Sequence, residues 1–259
     1  MYLEGGIGTS VGKLLLAQGA QLALFYAPFE SRNVETALHD VYESSAKVRA
    51  YPCDITSEAS VSAAFTAVEA DTAAAKTGCA FPSILVNAAG YISLSALETT
   101  PAEETIKHLH INLLGPMLAA QAFAKMYFRA SKERLDIGTS VPPGRIVSIA
   151  SQAAHIALQD HGAYCASKAG LVGLTKCMAS EWGGRGITAN TVSPGPVWTA
   201  LGRKAWADDV VREEYLRGVP TGTFAEPEEV AAAVSWLCQD LSGNVNGADI
   251  RLDGGFTAR

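Results

Sequence analysis

The 259-residue chain has no Cys-x-x-Cys pair, no cluster of Cys with His, and no run of Lys or Arg. Its five cysteines, Cys53, Cys79, Cys165, Cys177 and Cys238, are scattered and odd in number. They suggest neither a disulfide framework nor a metal site, and they fit a reducing cytoplasm. A net charge of −6 with no basic patch argues against nucleic acid or anionic lipid as a partner. The start has no apolar run behind a basic segment, and no apolar stretch reaches the roughly twenty residues that span a bilayer. The expectation is a soluble, cytoplasmic protein that meets small molecules and other subunits.

What is present is enough apolar material, 48% of residues, to bury one large core. Short β-rich runs alternate with helical patterns. The strand candidates are 21–26, 47–54, 83–87, 145–150, 187–194 and 248–254. Between them fall helical segments after Gly8, from a cap-like Ser57 onward, and over residues 102–128. This alternation predicts an α/β chain: a mostly parallel, doubly wound sheet covered by helices on both faces, in one domain over residues 1–259. Residues 77–83 and 130–145 read as surface loops because of their Gly, Pro and charge.

Several motifs then carry chemistry. Gly5-Gly6-Ile7-Gly8 precedes a helix, where backbone N–H groups would approach a diphosphate; a glycine cluster of this kind equally fits an unordered leader. Asn87-Ala88-Ala89-Gly90 closes a strand, the end at which open α/β folds bind ligands. Tyr164 and Lys168 stand four apart, on one face of a helix. Ser151 lies thirteen residues before Tyr164 at a strand end, Asn112 sits in a preceding helix, and Pro194-Gly195-Pro196-Val197-Trp198-Thr199 follows another strand.

Taken in order, these motifs resemble those of the short-chain dehydrogenase/reductase family, over nearly the whole chain. The resemblance implies a Rossmann-like fold, an NAD(P) cofactor and a catalytic set of Asn112, Ser151, Tyr164 and Lys168. It further implies that Gly6, Ile7 and Gly8 cradle the diphosphate, that Asp54 contacts adenine, and that Asn87 and Gly90 shape the crevice. Pro194, Gly195, Val197 and Thr199 would then border the nicotinamide carboxamide. Chemically, an alcohol losing hydride must also lose a proton, and free tyrosine with a pKa of about 10 is a poor acceptor. An adjacent Lys168 ammonium is expected to lower the Tyr164 pKa, Ser151 to orient the substrate oxygen, and Asn112 to hold a water chain to Lys168.

Two departures from the family pattern stand out. The family's turn reads Thr-Gly-x-x-x-Gly-x-Gly after a first strand; here Met1 and Tyr2 fall on the threonine and first glycine. A central strand between 21–26 and 83–87 is thus expected to be missing, through a truncated or misassigned start or a short isoform. Its neighbours would carry unpaired groups that cost about 1–3 kcal/mol each when buried. The second departure is at Tyr26, where NAD-using members place an acid. With Arg32 available for a 2′-phosphate, NADP is favoured, while Glu30 keeps NAD open.

The segment after Thr199 resembles the lid of members that oxidise sugar alcohols, giving a substrate lid at about 196–224. Gln152, His155, Gln159, His161 and Trp198 are the candidate substrate contacts, suited to several hydroxyls. The reading is hydride transfer between NADP or NAD and a secondary alcohol or ketone, a polyol or ketose, in a homotetramer or homodimer. The alternatives are a 3-oxoacyl thioester reductase and an inactive structural subunit.

Overall fold

The computed structural model describes residues 6–74 and 81–258, apart from the side chains of residues 32, 33, 73 and 74. The expectations on Met1, Tyr2, Gly5, Cys79 and the Arg32 side chain lie outside the described residues.

The order of elements is α1 (Ile7–Ala17), β1 (Leu22–Tyr26), α2 (Val34–Tyr42), β2 (Val48–Pro52), α3 (Glu58–Ala74) and β3 (Ile84–Asn87). Then follow α4 (Ala102–Leu109), α5 (Gly115–Asp136), β4 (Gly144–Ile149), α6 (Gly162–Trp182) and β5 (Ile187–Pro194). The chain continues through α7 (Ala200–Ala205), α8 (Asp209–Arg217), α9 (Pro227–Cys238) and β6 (Asp249–Leu252). Every strand pair is parallel. Each of the six strands expected from apolar patterning forms, within one or two residues at most ends.

Local chemistry accounts for the ends of the helices. Ser57 caps α3, its carbonyl accepting from Val61 N–H at 2.9 Å and its hydroxyl from Ser60 N–H at 3.3 Å. Pro227 opens α9, and the Glu229 carboxylate turns back to accept the Glu226 N–H at 2.8 Å. One loop expectation is corrected: α5 runs on to Asp136, so only residues 137–143 connect it to β4. Ala130 to Asp136 are rich in good helix formers, and their charges decorate a helix end instead of a loop.

Helices cover both faces of the sheet. Ile146 of β4 packs with Phe65 of α3 and with Phe123 and Met126 of α5. The next residue, Val147, packs on the opposite side with Val11 and Leu15 of α1 and Val230 and Val234 of α9. Alternate side chains of one strand thus supply two cores, as a doubly wound fold requires. Polar contacts join α1 to α9: Ser235 donates to Gln18 at 2.8 Å, and Ser10 to Glu228 at 3.3 Å.

The sheet is not continuous among the described residues. β1 pairs with β2, and β3-β4-β5-β6 form a separate four-stranded sheet. Between the facing edges of β1 and β3 lies a cavity of about 720 Å³.

Candidate active site

The candidate residues assemble at the carboxyl ends of β3, β4 and β5. Ser151 follows β4 by two residues and caps a short 3-10 turn, its hydroxyl accepting from Ala153 N–H at 3.2 Å. Tyr164 and Lys168 project from the first turns of α6. Burial pushes the Tyr164 phenol above its usual value, and a hydrogen bond from Ser151 opposes that shift. Lys168 is 3% exposed; its Nζ donates to the Ile149 carbonyl at 2.8 Å and lies 5.8 Å from the Tyr164 ring centre. Burial lowers the Lys168 pKa to about 8.

The expected Lys168-driven depression of the Tyr164 pKa is therefore reversed here. Desolvation dominates, and the ammonium is turned toward a backbone oxygen.

Asn112 is fully buried in a π-helical turn, His110–Leu114, that joins α4 to α5. Such turns break the regular helical ladder and recur at functional sites. The Asn112 side chain accepts from Tyr91 N–H at 2.8 Å and donates to Tyr91 O at 2.8 Å and to Ser167 Oγ at 3.0 Å. Its amide thus fixes the loop after Gly90 and anchors α6; the side chain expected to hold water is engaged by protein on both ends.

The backbone is open at the start of α1 and at the turn after β3. Gly6 caps α1, its carbonyl accepting from Thr9 and Ser10, and a Cβ at Gly6 would meet nothing within 4 Å. Ile7 and Gly8 form the first turn, where helix geometry leaves N–H groups without intrahelical acceptors. A Cβ at Gly90 would stand 3.6 Å from Lys168 Nζ and 3.7 Å from Asn112 Oδ1, so a side chain there would fill the space before both. Asn87, at the end of β3, donates to Ser148 at 3.1 Å. These open backbone surfaces fit a diphosphate and a ribose.

At the far end, Tyr26 O accepts from Cys53 N–H at 2.8 Å, joining the carboxyl ends of β1 and β2. Asp54 Oδ1 accepts from the Thr56 N–H and hydroxyl, at 2.9 and 2.7 Å. Glu30 is not poised to swing toward a ribose: it is buried and accepts the Ala27 N–H at 3.0 Å, closing its own turn.

Beyond β5, Gly195 N–H bonds Leu252 O at 2.9 Å, and Val197 and Ala225 pair as an isolated parallel bridge. The intervening segment therefore leaves and returns at one point. Thr199 Oγ1 caps α7 by accepting from Gly202 N–H at 3.0 Å. The segment is filled by aromatic rings: Trp198 on Phe224 at 5.1 Å, Trp206 on Tyr215 at 4.7 Å, and Tyr215 stacked on Phe256 at 5.0 Å.

The substrate candidates divide. Gln152 is 4% exposed and donates to Tyr215 OH at 2.5 Å, while its Oε1 has no partner among the described residues. The His161 ring lies 6.2 Å from that of Tyr164. His155, by contrast, is bonded to Asp249 of β6 at 2.8 Å, and Gln159 donates to the neighbouring Asp160 at 3.2 Å. Sequence reasoning missed His108, which is buried, accepts the Ser93 N–H at 3.1 Å and has its ring 6.3 Å from Tyr164. The signal was available: His108 lies four residues before Asn112, on the same helical face.

A family model described as Enoyl-(Acyl carrier protein) reductase matches residues 3–257. The chain belongs to this family, the short-chain dehydrogenases/reductases. It is 39% identical over 255 residues to D-threitol dehydrogenase of Mycolicibacterium smegmatis, covering 98% of this chain and 90% of that protein. The structure of a short-chain dehydrogenase/reductase from Serratia marcescens matches with a TM-score of 0.81 at 28% identity, over 98% of this chain and 94% of that one. A gluconate 5-dehydrogenase from Burkholderia cenocepacia, in complex with NADP and tartrate, matches with a TM-score of 0.84 at 26% identity, over 98% and 92% of the two chains. The short-chain dehydrogenase/reductase chain is accordingly an oxidoreductase with a Rossmann-like fold, and no described helix is long and apolar enough to cross a membrane.

Proposed function

We propose that the protein transfers hydride between NAD(P) and a secondary alcohol or ketone bearing further hydroxyls, a polyol or its ketose. The observation that carries this reading is the convergence of Ser151, Tyr164 and Lys168 beside Gln152, whose buried oxygen lacks a partner. A buried, unpaired acceptor is costly unless a ligand hydroxyl donates to it. The polyhydroxylated ligands in the relatives' names support the same substrate class.

When bound, NAD(P) supplies the carbon that accepts or gives up hydride. Gly6, Ile7 and Gly8 would hold its diphosphate, Tyr26 and Asp54 its adenosine end, and Asn87 and Gly90 its middle. Pro194, Gly195, Val197 and Thr199 would border its carboxamide. Tyr26 without a carboxylate, and Glu30 folded onto Ala27, favour NADP. Lys168 would hold the nicotinamide ribose hydroxyls by turning from the Ile149 carbonyl. Ser151 hydrogen-bonds the substrate oxygen; Tyr164 gives it a proton in reduction and takes one in oxidation. Lys168, behind Gly90, orders the path by which that proton is replaced, and Asn112 fixes the Gly90–Tyr91 loop beside it. Residues 196–224 act as the substrate lid of one nucleotide-binding unit spanning the chain. Subunits associate as a homotetramer or homodimer through α5 and α6.

The test is a screen of C4 to C6 polyols and matching ketoses against acetoacetyl thioesters. Higher kcat/KM on the polyols is expected, and the reverse ranking would make this a 3-oxoacyl thioester reductase. The break between β1 and β3 favours a second reading, a noncatalytic subunit. That subunit would show no binding in a titration with NADP or NAD.

A further inference from the structure

Helix α4 and the turn after it present Glu104, His108 and Asn112 at successive intervals of four residues, so the three lie along one face. All three hold the loop that follows Gly90. The Glu104 carboxylate accepts from the Tyr91 hydroxyl at 2.9 Å and from the Ser93 hydroxyl at 2.7 Å. His108, 1% exposed, has Nδ1 at 2.8 Å from the Glu104 carbonyl and Nε2 at 3.1 Å from the Ser93 nitrogen. Asn112 takes both backbone groups of Tyr91. The loop is then tied to the segment before α6 by the Ser95 N–H, which donates to Asp160 O at 3.0 Å.

These bonds fix the state of His108. A carbonyl can only accept, so Nδ1 carries the hydrogen; a backbone N–H can only donate, so Nε2 presents its lone pair. The ring is thus neutral and of a single tautomer, and a second proton would set Nε2–H against the Ser93 N–H. The imidazole also packs edge-on, its centre 6.3 Å from the Tyr164 ring at an angle of 72° and 4.9 Å from the Tyr91 ring. The titratable groups around it are Glu104 and Lys107 on its own helix, Tyr91 in the loop and Tyr164 on α6. The Ser93 and Tyr91 hydroxyls hold the Glu104 carboxyl below its usual value, and Lys107 Nζ lies 4.0 Å from the Tyr91 ring centre.

We propose that His108 is a positioning residue for proton transfer at Tyr164, and that it acts only while neutral. In that form it joins the loop after Gly90 to the Tyr164 ring, so the phenol and the backbone beside it keep one geometry. A proton on Nε2 removes the acceptor of the Ser93 N–H. The loop then separates from α4, and the Tyr164 ring loses the edge it packs against. The rate falls in acid although no group that meets substrate or nucleotide has changed its charge. The proposal rests on Tyr164 as the group that transfers the proton.

The test compares the full chain with His108→Gln and His108→Phe between pH 8 and pH 5. The glutamine has an amide oxygen to accept the Ser93 N–H and does not titrate; the phenylalanine keeps a ring against Tyr164 and makes neither bond. Hydrogen exchange over residues 91–95, corrected for the intrinsic pH dependence of exchange, is read by mass spectrometry beside kcat and KM on the polyol screen. In the parent, protection over 91–95 is expected to fall about tenfold or more from pH 8 to pH 5, with kcat falling over the same range and KM for nucleotide within about twofold. In His108→Gln both should stay level, and its kcat at pH 8 should exceed that of His108→Phe by about tenfold. Level protection in the acidified parent would overturn the proposal, as would an equal acid fall in His108→Gln or equal kcat in the two variants. Should a variant fail to fold, the exchange profile of the parent decides. Turnover retained by Tyr164→Phe would remove the reading on which the proposal rests, and the proposal with it, without altering the exchange result.

Discussion

Lys168 donates from Nζ to the carbonyl of Ile149 at 2.8 Å, tying the first half of α6 to the last residue of β4. An ammonium buried this deeply has a defined consequence for stability. Its pKa falls from 10.5 to about 8 on folding. Between those values the unfolded chain holds a proton that the folded chain has released, so this residue makes stability rise with pH from about 8 to 10.5. Without nucleotide, the melting temperature of the parent should rise relative to Lys168→Met between pH 7 and pH 10. A difference that stays constant across that range would contradict the buried charge.

Tyr164→Phe should lower kcat by about 10²–10⁴-fold, the range for loss of a general acid or base. Only proton transfer is removed, so nucleotide affinity should hold within about twofold. Activity within about tenfold of the parent, or roughly 1.4 kcal/mol of barrier, would remove the proton-transfer role.

Asn112→Ala leaves both the N–H and the C=O of Tyr91 without their partner. At about 1–3 kcal/mol for each buried unsatisfied group, the protein should lose about 2–6 kcal/mol and melt several degrees lower. Exchange of the Tyr91 amide should accelerate in parallel. An unchanged melting temperature would mean the loop is held elsewhere.

Tyr215→Phe removes the acceptor for the Gln152 amide. On the proposed reading Gln152 then loses its orientation toward the substrate, and KM for a polyol should rise about two- to tenfold with kcat little altered, the effect of one hydrogen bond of about 0.5–1.5 kcal/mol. An equal fall in kcat would place Tyr215 in the chemistry itself.

The proposed subunit association runs through α5 and α6. Sedimentation at micromolar concentration should give a dimer or tetramer; a lone monomer would argue against helix-mediated assembly.

Much of this architecture is legible in the sequence because buried parallel strands are short, apolar and bounded by punctuation. Residues 187–194, for example, were expected to form a strand and are β5 without adjustment. The motif residues too are found together, since Ser151, Tyr164 and Lys168 lie at strand ends or on one helical face. What the sequence hides is local competition for polar groups. Nothing in the run around Asn112 announces that its amide will grip Tyr91, or that helix 102–128 will break into a π turn there. Glu30 and His155 look free until their partners, Ala27 and Asp249, are seen. The direction of the Tyr164 shift likewise depends on burial, a property of the packed chain and not of the Tyr-x-x-x-Lys spacing.

The seating of α1 on α9 also fixes when the amino-terminal end of the described chain can complete its packing. Gln18 and Ser235 are 217 residues apart, and Val11 and Leu15 find their apolar partners at the same remove. Contacts of such separation form late, because a long loop must close before they contribute. On the ribosome, α1 emerges ahead of the rest of the described chain and waits, with its apolar face uncovered, until residues 227–238 have been made. The turn at Gly6 to Gly8, proposed to hold the diphosphate, is thus the earliest part of the described chain to be synthesised and among the last to be completed.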